Sequence, residues 1–336
     1  MPIAAASQNI TEDIPGDTPM SIITVRTHAP PLSSPAPAAH APRRRGRIDT
    51  RQLVGLLFIA PAMVLVTVFF VVPLGMTFWM SLHNWPLMGG HRFIGLDNYI
   101  AVAGDTRFWN ALRFTLYYTA IVTVAIFAVA FPLALFVERP GRMVGFYRTA
   151  FFLPVVVGFA SASLLWAWLL NVDSGLFSPA AYQLGLTDKK VNLLASFDPA
   201  FWSIIVMVVW KVAGFTMIIL MTGLQSIPGD IMEAAKIDGA NGWQRFTRIT
   251  LPLMRRTLAL ALILSVAGSI LAFDQFYIIL RGGPRNQTIT AVYWIFNQSF
   301  VSFKLGYGAA LSVVLLVILV VLSLIQLALL KNPEGT

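Results

Sequence analysis

Two charged side chains stand well inside long apolar runs of this 336-residue sequence: Lys211 in VWKVAGF and Asp274 in AFDQFY. Ionisable groups at membrane depth are costly and normally face a bundle interior, where they pair or contact a polar solute. Gln275 and Tyr277 accompany the aspartate, Trp210 adjoins the lysine, and Trp166 and Asn171 lie near the end of another apolar run, as does Trp168. Amides and hydroxyls that hydrogen-bond, beside aromatic faces that cover C–H surfaces, are the chemistry that holds a sugar-like solute. Trp and Tyr near span ends also form interfacial belts. Counted inward at about 1.5 Å per residue, Lys211 is about 15 Å deep and Asp274 about 9 Å. An ion pair between their two helices is expected.

Other chemistry has no residues to carry it. There is no cysteine, which excludes thiolate nucleophiles, thiolate metal sites and disulfides. No G-x-x-x-x-G-K-[ST] loop is present to cradle nucleotide phosphates. There is no Gly-x-Ser-x-Gly elbow and no close pair of carboxylates within a span. The four histidines (28, 40, 83 and 91) are scattered without ligand spacing, and His83 and His91 read as solvated loop side chains. No catalytic residue, metal site or bound cofactor is expected.

The elements that position the polar groups follow from hydropathy. Hydrophobic residues make up 57% of the chain and charged residues 12%, half the charge of a soluble domain. A bilayer crossing needs about 20 apolar residues, and six runs qualify, at roughly 54–80, 114–137, 149–170, 201–224, 257–280 and 306–330. The fold class is an all-α polytopic membrane protein with six transmembrane helices. Residues 1–50 are rich in Pro, Ala and Ser, cannot bury a core and read as a disordered tail. The first apolar run is too long, and begins too late, to be a cleaved signal peptide. Residues 51–336 form the six-span domain. Of the 24 Lys and Arg, Lys211 is in a span. With both termini in the cytoplasm, fifteen of the others fall inside and eight outside, as the positive-inside bias requires. The net charge of +9 therefore reports topology, and no nucleic-acid partner is implied.

One inside loop, residues 225–256, is patterned. Pro228 and Gly229 break the fourth span, and Asp230 is placed to cap a new helix. Ile231, Ala234, Ala235 and Ile237 make a small-residue face, and Asp238-Gly239 signals a turn. Asn241 can cap a second short helix carrying Trp243, Phe246 and Ile249 on one side, with Arg245 and Arg248 on the other. Pro252 closes the unit. The expectation is a helix–turn–helix at the membrane surface.

That order of residues resembles the EAA loop of the integral-membrane subunits of binding-protein-dependent ABC importers. Glu233, Ala234, Ala235, Gly239, Ile249, Leu251 and Pro252 stand in the register of that motif. FIGLDNY (93–99), RTAFFLPVVV (148–157), LLWAWLLN (164–171), TGLQSIP (222–228), FDQFYIILRGGP (273–284) and LGYGAALSV (305–313) extend the likeness to the carbohydrate-type subfamily, maltose-like and glycerol-3-phosphate-like permeases included. Leu280-Arg281 precede the GGP where that subfamily usually has a threonine, a departure that bears on the solute.

The resemblance implies a coupling helix between spans four and five, made by Glu233, Ala234, Ala235, Gly239 and Pro252, that seats in a cytoplasmic ATPase. It implies a permease subunit of an ATP-driven importer in the cytoplasmic membrane, moving a sugar or sugar-like polar solute, and not itself an enzyme. ATP and magnesium would be bound by the ATPase dimer. A second homologous permease subunit and an extracytoplasmic solute-binding protein would complete the assembly, in contact with membrane lipid. The reading of a different class is an ion-gradient-driven secondary transporter or channel using Lys211 and Asp274; a scaffold recruiting a partner through its basic loop is a third.

Overall fold

The computed structural model describes residues 50–139, 141–185 and 187–330. The tail expected over residues 1–50 lies outside the described residues, apart from Thr50, which opens the helix Thr50–Val66. Residues 1–59 and 60–336 are separate units, and the packing below is that of the second.

Among the described residues, four helices are long and apolar enough to cross a membrane: Leu57–Ser81, Thr106–Glu138, Phe197–Gln225 and Leu305–Leu330. Two bent pairs raise the number to as many as six: Val144–Val156 with Phe159–Leu169, and Gly242–Leu253 with Arg255–Ile270. Below these are numbered one to six in chain order.

Spans two and four form the centre. On span two the buried residues Tyr118, Val122, Ile126, Ala130 and Ala134 recur every fourth position, one continuous ridge of a helix. The upper part of the ridge packs with Phe201, Ile204, Met207 and Val208 of span four. The lower part, now alanine, packs with Ala213, Met217 and Leu220. Small residues let backbones approach where lipid supplies no hydrophobic drive for association. A third cluster joins Phe108 and Leu112 to Ile270, Ala291, Ala310 and Leu311. It seats the short helix Ala291–Phe296, an element too short to register as a span.

The predicted third span is broken. Its halves meet at 94°, because Val157 is extended (φ −71°, ψ 131°) and Gly158 precedes the second half. Pro154, three residues earlier, already lacks one helical donor. The predicted fifth span, 257–280, is also interrupted. Helix Arg255–Ile270 ends at Leu271, and Asp274 begins a separate short helical segment that runs on through Phe276–Leu280. Two wide π-turns, Thr67–Val71 and Phe246–Thr250, stand just ahead of Pro73 and Pro252. A widened turn there relieves the clash of the ring with the carbonyl four residues back.

Candidate functional site

The patterned loop folds as two short helices, Gly229–Ile237 and one beginning at Gly242. The turn between them is closed by two backbone bonds: Ala240 N donates to Ala235 O at 2.9 Å and Gly239 N to Lys236 O at 3.1 Å. This is a Schellman closure, in which the residue after the cap must be left-handed; Gly239 has φ +77°. On the far side Asn241 Oδ1 accepts from Gln244 N at 2.8 Å, and Gln244 Oε1 accepts from Asn241 N at 2.9 Å. That reciprocal capping box fixes the start of the second helix. Asp230 is not a cap: Pro228 holds that position, and Asp230 lies in the first turn. There its charge still suits the positive end of the helix dipole.

The unit shows most of its surface. Ala235 alone of the small-residue face is buried, while Glu233 and Ala234 are exposed and Ile237 is 86% exposed. Trp243 is 71% exposed, and Phe246 reaches Phe131 of span two, ring centroids 5.2 Å apart. Pro252 sits in the last turn of Gly242–Leu253, and the chain then bends by 74° at Met254 into Arg255–Ile270. One end of the unit is thus anchored to the bundle, and the apolar crest of the other is bare.

The polar groups at membrane depth are arranged differently from the expectation. Lys211 makes no ion pair with Asp274. Its Nζ donates to Val155 O at 3.0 Å and lies 4.9 Å from the centre of the Phe159 ring. Both partners flank the break in span three, so the lysine satisfies a carbonyl that the interrupted helix leaves without a donor. The predicted pair fails because Asp274 follows a break at residues 271–273, so depth counted along a continuous helix does not hold. Just below, Gly214 allows the same closeness: a Cβ there would lie 1.9 Å from Phe151 O.

Gln275 is buried and donates through Nε2 to Tyr118 Oη at 3.3 Å, within the core between spans. Tyr277 is 40% exposed and stacks on Phe273 at 5.0 Å. Trp166 is buried against Trp210, itself 39% exposed, with centroids 5.8 Å apart; Trp168 is exposed. Asn171 is a turn former, its Oδ1 accepting from Asp173 N and Ser174 N at 3.0 and 3.1 Å. Trp166 and Trp210 come together, as do Gln275 and Tyr118. Tyr118, a fully buried hydroxyl, and Asp105 escaped the sequence reading.

Asp105 is the polar hub at the opposite end of the bundle. Its Oδ1 accepts from Arg107 N and Phe108 N, capping span two, and its Oδ2 accepts from Trp294 Nε1 at 2.9 Å and Tyr307 Oη at 2.7 Å. Burial pushes its pKa up, but the bonds from Tyr307, Trp294 and the two backbone donors outweigh it and hold the carboxyl below its ordinary range. An Asp a few residues ahead of an apolar run was the available signal. Nearby His83, expected to be solvated, is buried, its Nδ1 2.7 Å from Trp79 O and its ring among Trp79, Trp85 and Phe93. Among the described residues no group of three His, Cys, Asp or Glu is placed to hold a metal ion.

Residues 100–332 match the family described as the binding-protein-dependent transport system inner membrane component. Among curated relatives, the sn-glycerol-3-phosphate transport system permease protein of Agrobacterium fabrum is 32% identical, over 82% of this chain and 94% of its own length. The trehalose/maltose transport system permease protein of Thermococcus litoralis is 33% identical, over 82% of this chain and 92% of its own. Among solved structures, a chain of a bacterial ABC transporter for import of the acidic polysaccharide alginate shares the fold, with a TM-score of 0.72 at 21% identity, covering 85% of this chain and 98% of that one. Family match and helical architecture agree. This chain belongs to the binding-protein-dependent transport system inner membrane components: it is a membrane permease subunit of an ABC importer, and not itself an enzyme.

Proposed function

We propose that this permease carries a sugar or sugar-like polar solute across the cytoplasmic membrane, driven by a separate ATPase that seats the paired helices of residues 229–253. The observation that carries the coupling reading is the build of that unit. It is fixed internally by the Schellman closure at Gly239 and the capping box at Asn241, anchored through Phe246, and bare at Glu233, Ala234, Ile237 and Trp243. A short rigid helix with an exposed apolar crest transmits a push without absorbing it. ATP and magnesium belong to the ATPase dimer in this reading.

The fifteen-to-eight division of basic residues supports a cytoplasmic loop and cytoplasmic termini. A sugar-like solute is supported by the relatives for glycerol phosphate and for trehalose and maltose. Exposed Trp210 and Tyr277, with the partly buried Asp274, are the side chains we assign to the pathway. Lys211, Gln275, Trp166 and Asn171 hold the scaffold behind them. A second homologous permease would supply the other half of the cavity, and an extracytoplasmic binding protein would deliver the solute. One solved neighbour is an alginate transporter in complex with such a periplasmic protein.

The test is purification from native membranes in mild detergent, then reconstitution. The expected outcome is co-purification of a Walker-motif ATPase and a second multi-span subunit, with ATP-dependent uptake of maltose or glycerol 3-phosphate. Uptake by the chain alone on an ion gradient would refute the reading.

A further inference from the structure

We propose that the cleft between the paired helices and the adjoining ends of spans two and four is a binding site for an anionic phospholipid. The cleft has a volume of about 690 Å³. Its floor includes Leu135 and Leu224, in the last turns of their spans, with Met232 and Phe246 from the paired helices. Its rim carries Arg139, Lys236 and Arg245, against one carboxylate, Glu138. Among the described residues none of the three cations forms an ion pair or a side-chain hydrogen bond.

The order of these groups selects the ligand. On span two Leu135 lies within the last turn and Arg139 just past the helix end, and Leu224 is buried while Arg139 and Lys236 are exposed, an apolar-then-basic sequence that suits the acyl chain and phosphate of a lipid. A soluble anion would use the rim and leave the floor uncovered. Basic pockets between span ends on the cytoplasmic side attract anionic headgroups, because that leaflet carries a negative surface potential. The inference rests on the cytoplasmic placement of this loop proposed above. A lipid held here touches span two, span four and the lever at once, so it would set how firmly the lever is joined to the bundle.

The test uses the whole transporter in phosphatidylcholine vesicles doped with phosphatidylglycerol bearing a photoreactive acyl chain, with adducts mapped by mass spectrometry. Labelling is expected in peptides spanning 131–139 and 224–246. Arg139→Gln with Arg245→Gln should lower it about twenty-fivefold, at roughly fivefold per basic residue, while Arg139→Lys with Arg245→Lys retains it. Equal labelling by a photoreactive phosphatidylcholine, unchanged labelling in the glutamine variant, or no labelling because the ATPase covers the cleft would each overturn the proposal. Competition by millimolar inorganic phosphate would reassign the rim to a free anion. Orientation is read separately from Arg248→Cys, the one thiol in a chain without cysteine, using an impermeant maleimide on sealed vesicles. Labelling from outside overturns the topology. Labelling only from inside, without a lipid adduct, overturns the lipid site alone.

Discussion

Gly214→Ala should loosen the junction between spans three and four. A Cβ at residue 214 would sit 1.9 Å from Phe151 O, and ordinary contact begins at 3.4 Å. The obstacle is backbone on both sides, so no rotamer change relieves it; the helices must part by about 1.5 Å, an overpacking that costs about 1–3 kcal/mol. Equilibrium unfolding in mixed micelles should show the loss as a lower denaturant midpoint, a change of about 5- to 150-fold in the folded ratio. Gly145→Ala is the control. It lies on the first half of the same broken span with nothing within 4 Å, and there alanine should be neutral or slightly stabilising through its helix propensity. An unchanged midpoint for Gly214→Ala, or an equal loss in both variants, would refute the close crossing.

Gly239→Val should insert normally yet lose ATP-coupled transport. No atom obstructs a side chain there, but φ +77° costs a β-branched residue at least about 1–2 kcal/mol, and normal transport by the variant would contradict the lever. Because Lys211 serves Val155 and not Asp274, the exchange Lys211→Asp with Asp274→Lys should not restore what either single change removes; rescue in an uptake assay would reinstate the ion pair. Asp105 has a folded pKa below its unfolded one, so its stabilisation is complete above the unfolded value, near 3.9, and is lost as pH falls through the folded one. Thermal midpoints of the wild type should therefore fall in acid below about pH 4, and Asp105→Asn should flatten that limb while lowering the neutral plateau. A Tyr118→Phe, Gln275→Leu double-mutant cycle should return a coupling of about 0.6 kcal/mol, typical of buried polar pairs between spans; zero coupling would mean their 3.3 Å contact is incidental.

Much of this architecture was written in hydropathy. Runs of apolar residues located spans one, two, four and six to within about ten residues, and the glycine turn and asparagine cap of the loop are visible because each needs a particular side chain. What escaped was whatever depends on a helix stopping inside an apolar run. Val157 and Phe273 are as hydrophobic as their neighbours, so neither break lowers hydropathy; Pro154 and Gly158 were the only local marks of the first. The misplaced ion pair followed from the second. Helix Ala291–Phe296 hid for the opposite reason, being apolar but far shorter than a bilayer. Asp105 escaped notice because its partners Trp294 and Tyr307 are about two hundred positions away.

The break in the third span also bears on how the protein is made. Its halves have 13 and 11 residues, so each rises about 16–20 Å, well short of a hydrocarbon core of about 30 Å. At the angle between them neither half crosses alone. The carbonyl at their junction is satisfied by Lys211, some fifty-six positions further along and not yet synthesised when the third segment leaves the ribosome. Segment three therefore lacks this donor until segment four has been made. A linker lengthened between residues 171 and 196 would delay the moment at which that bond can form.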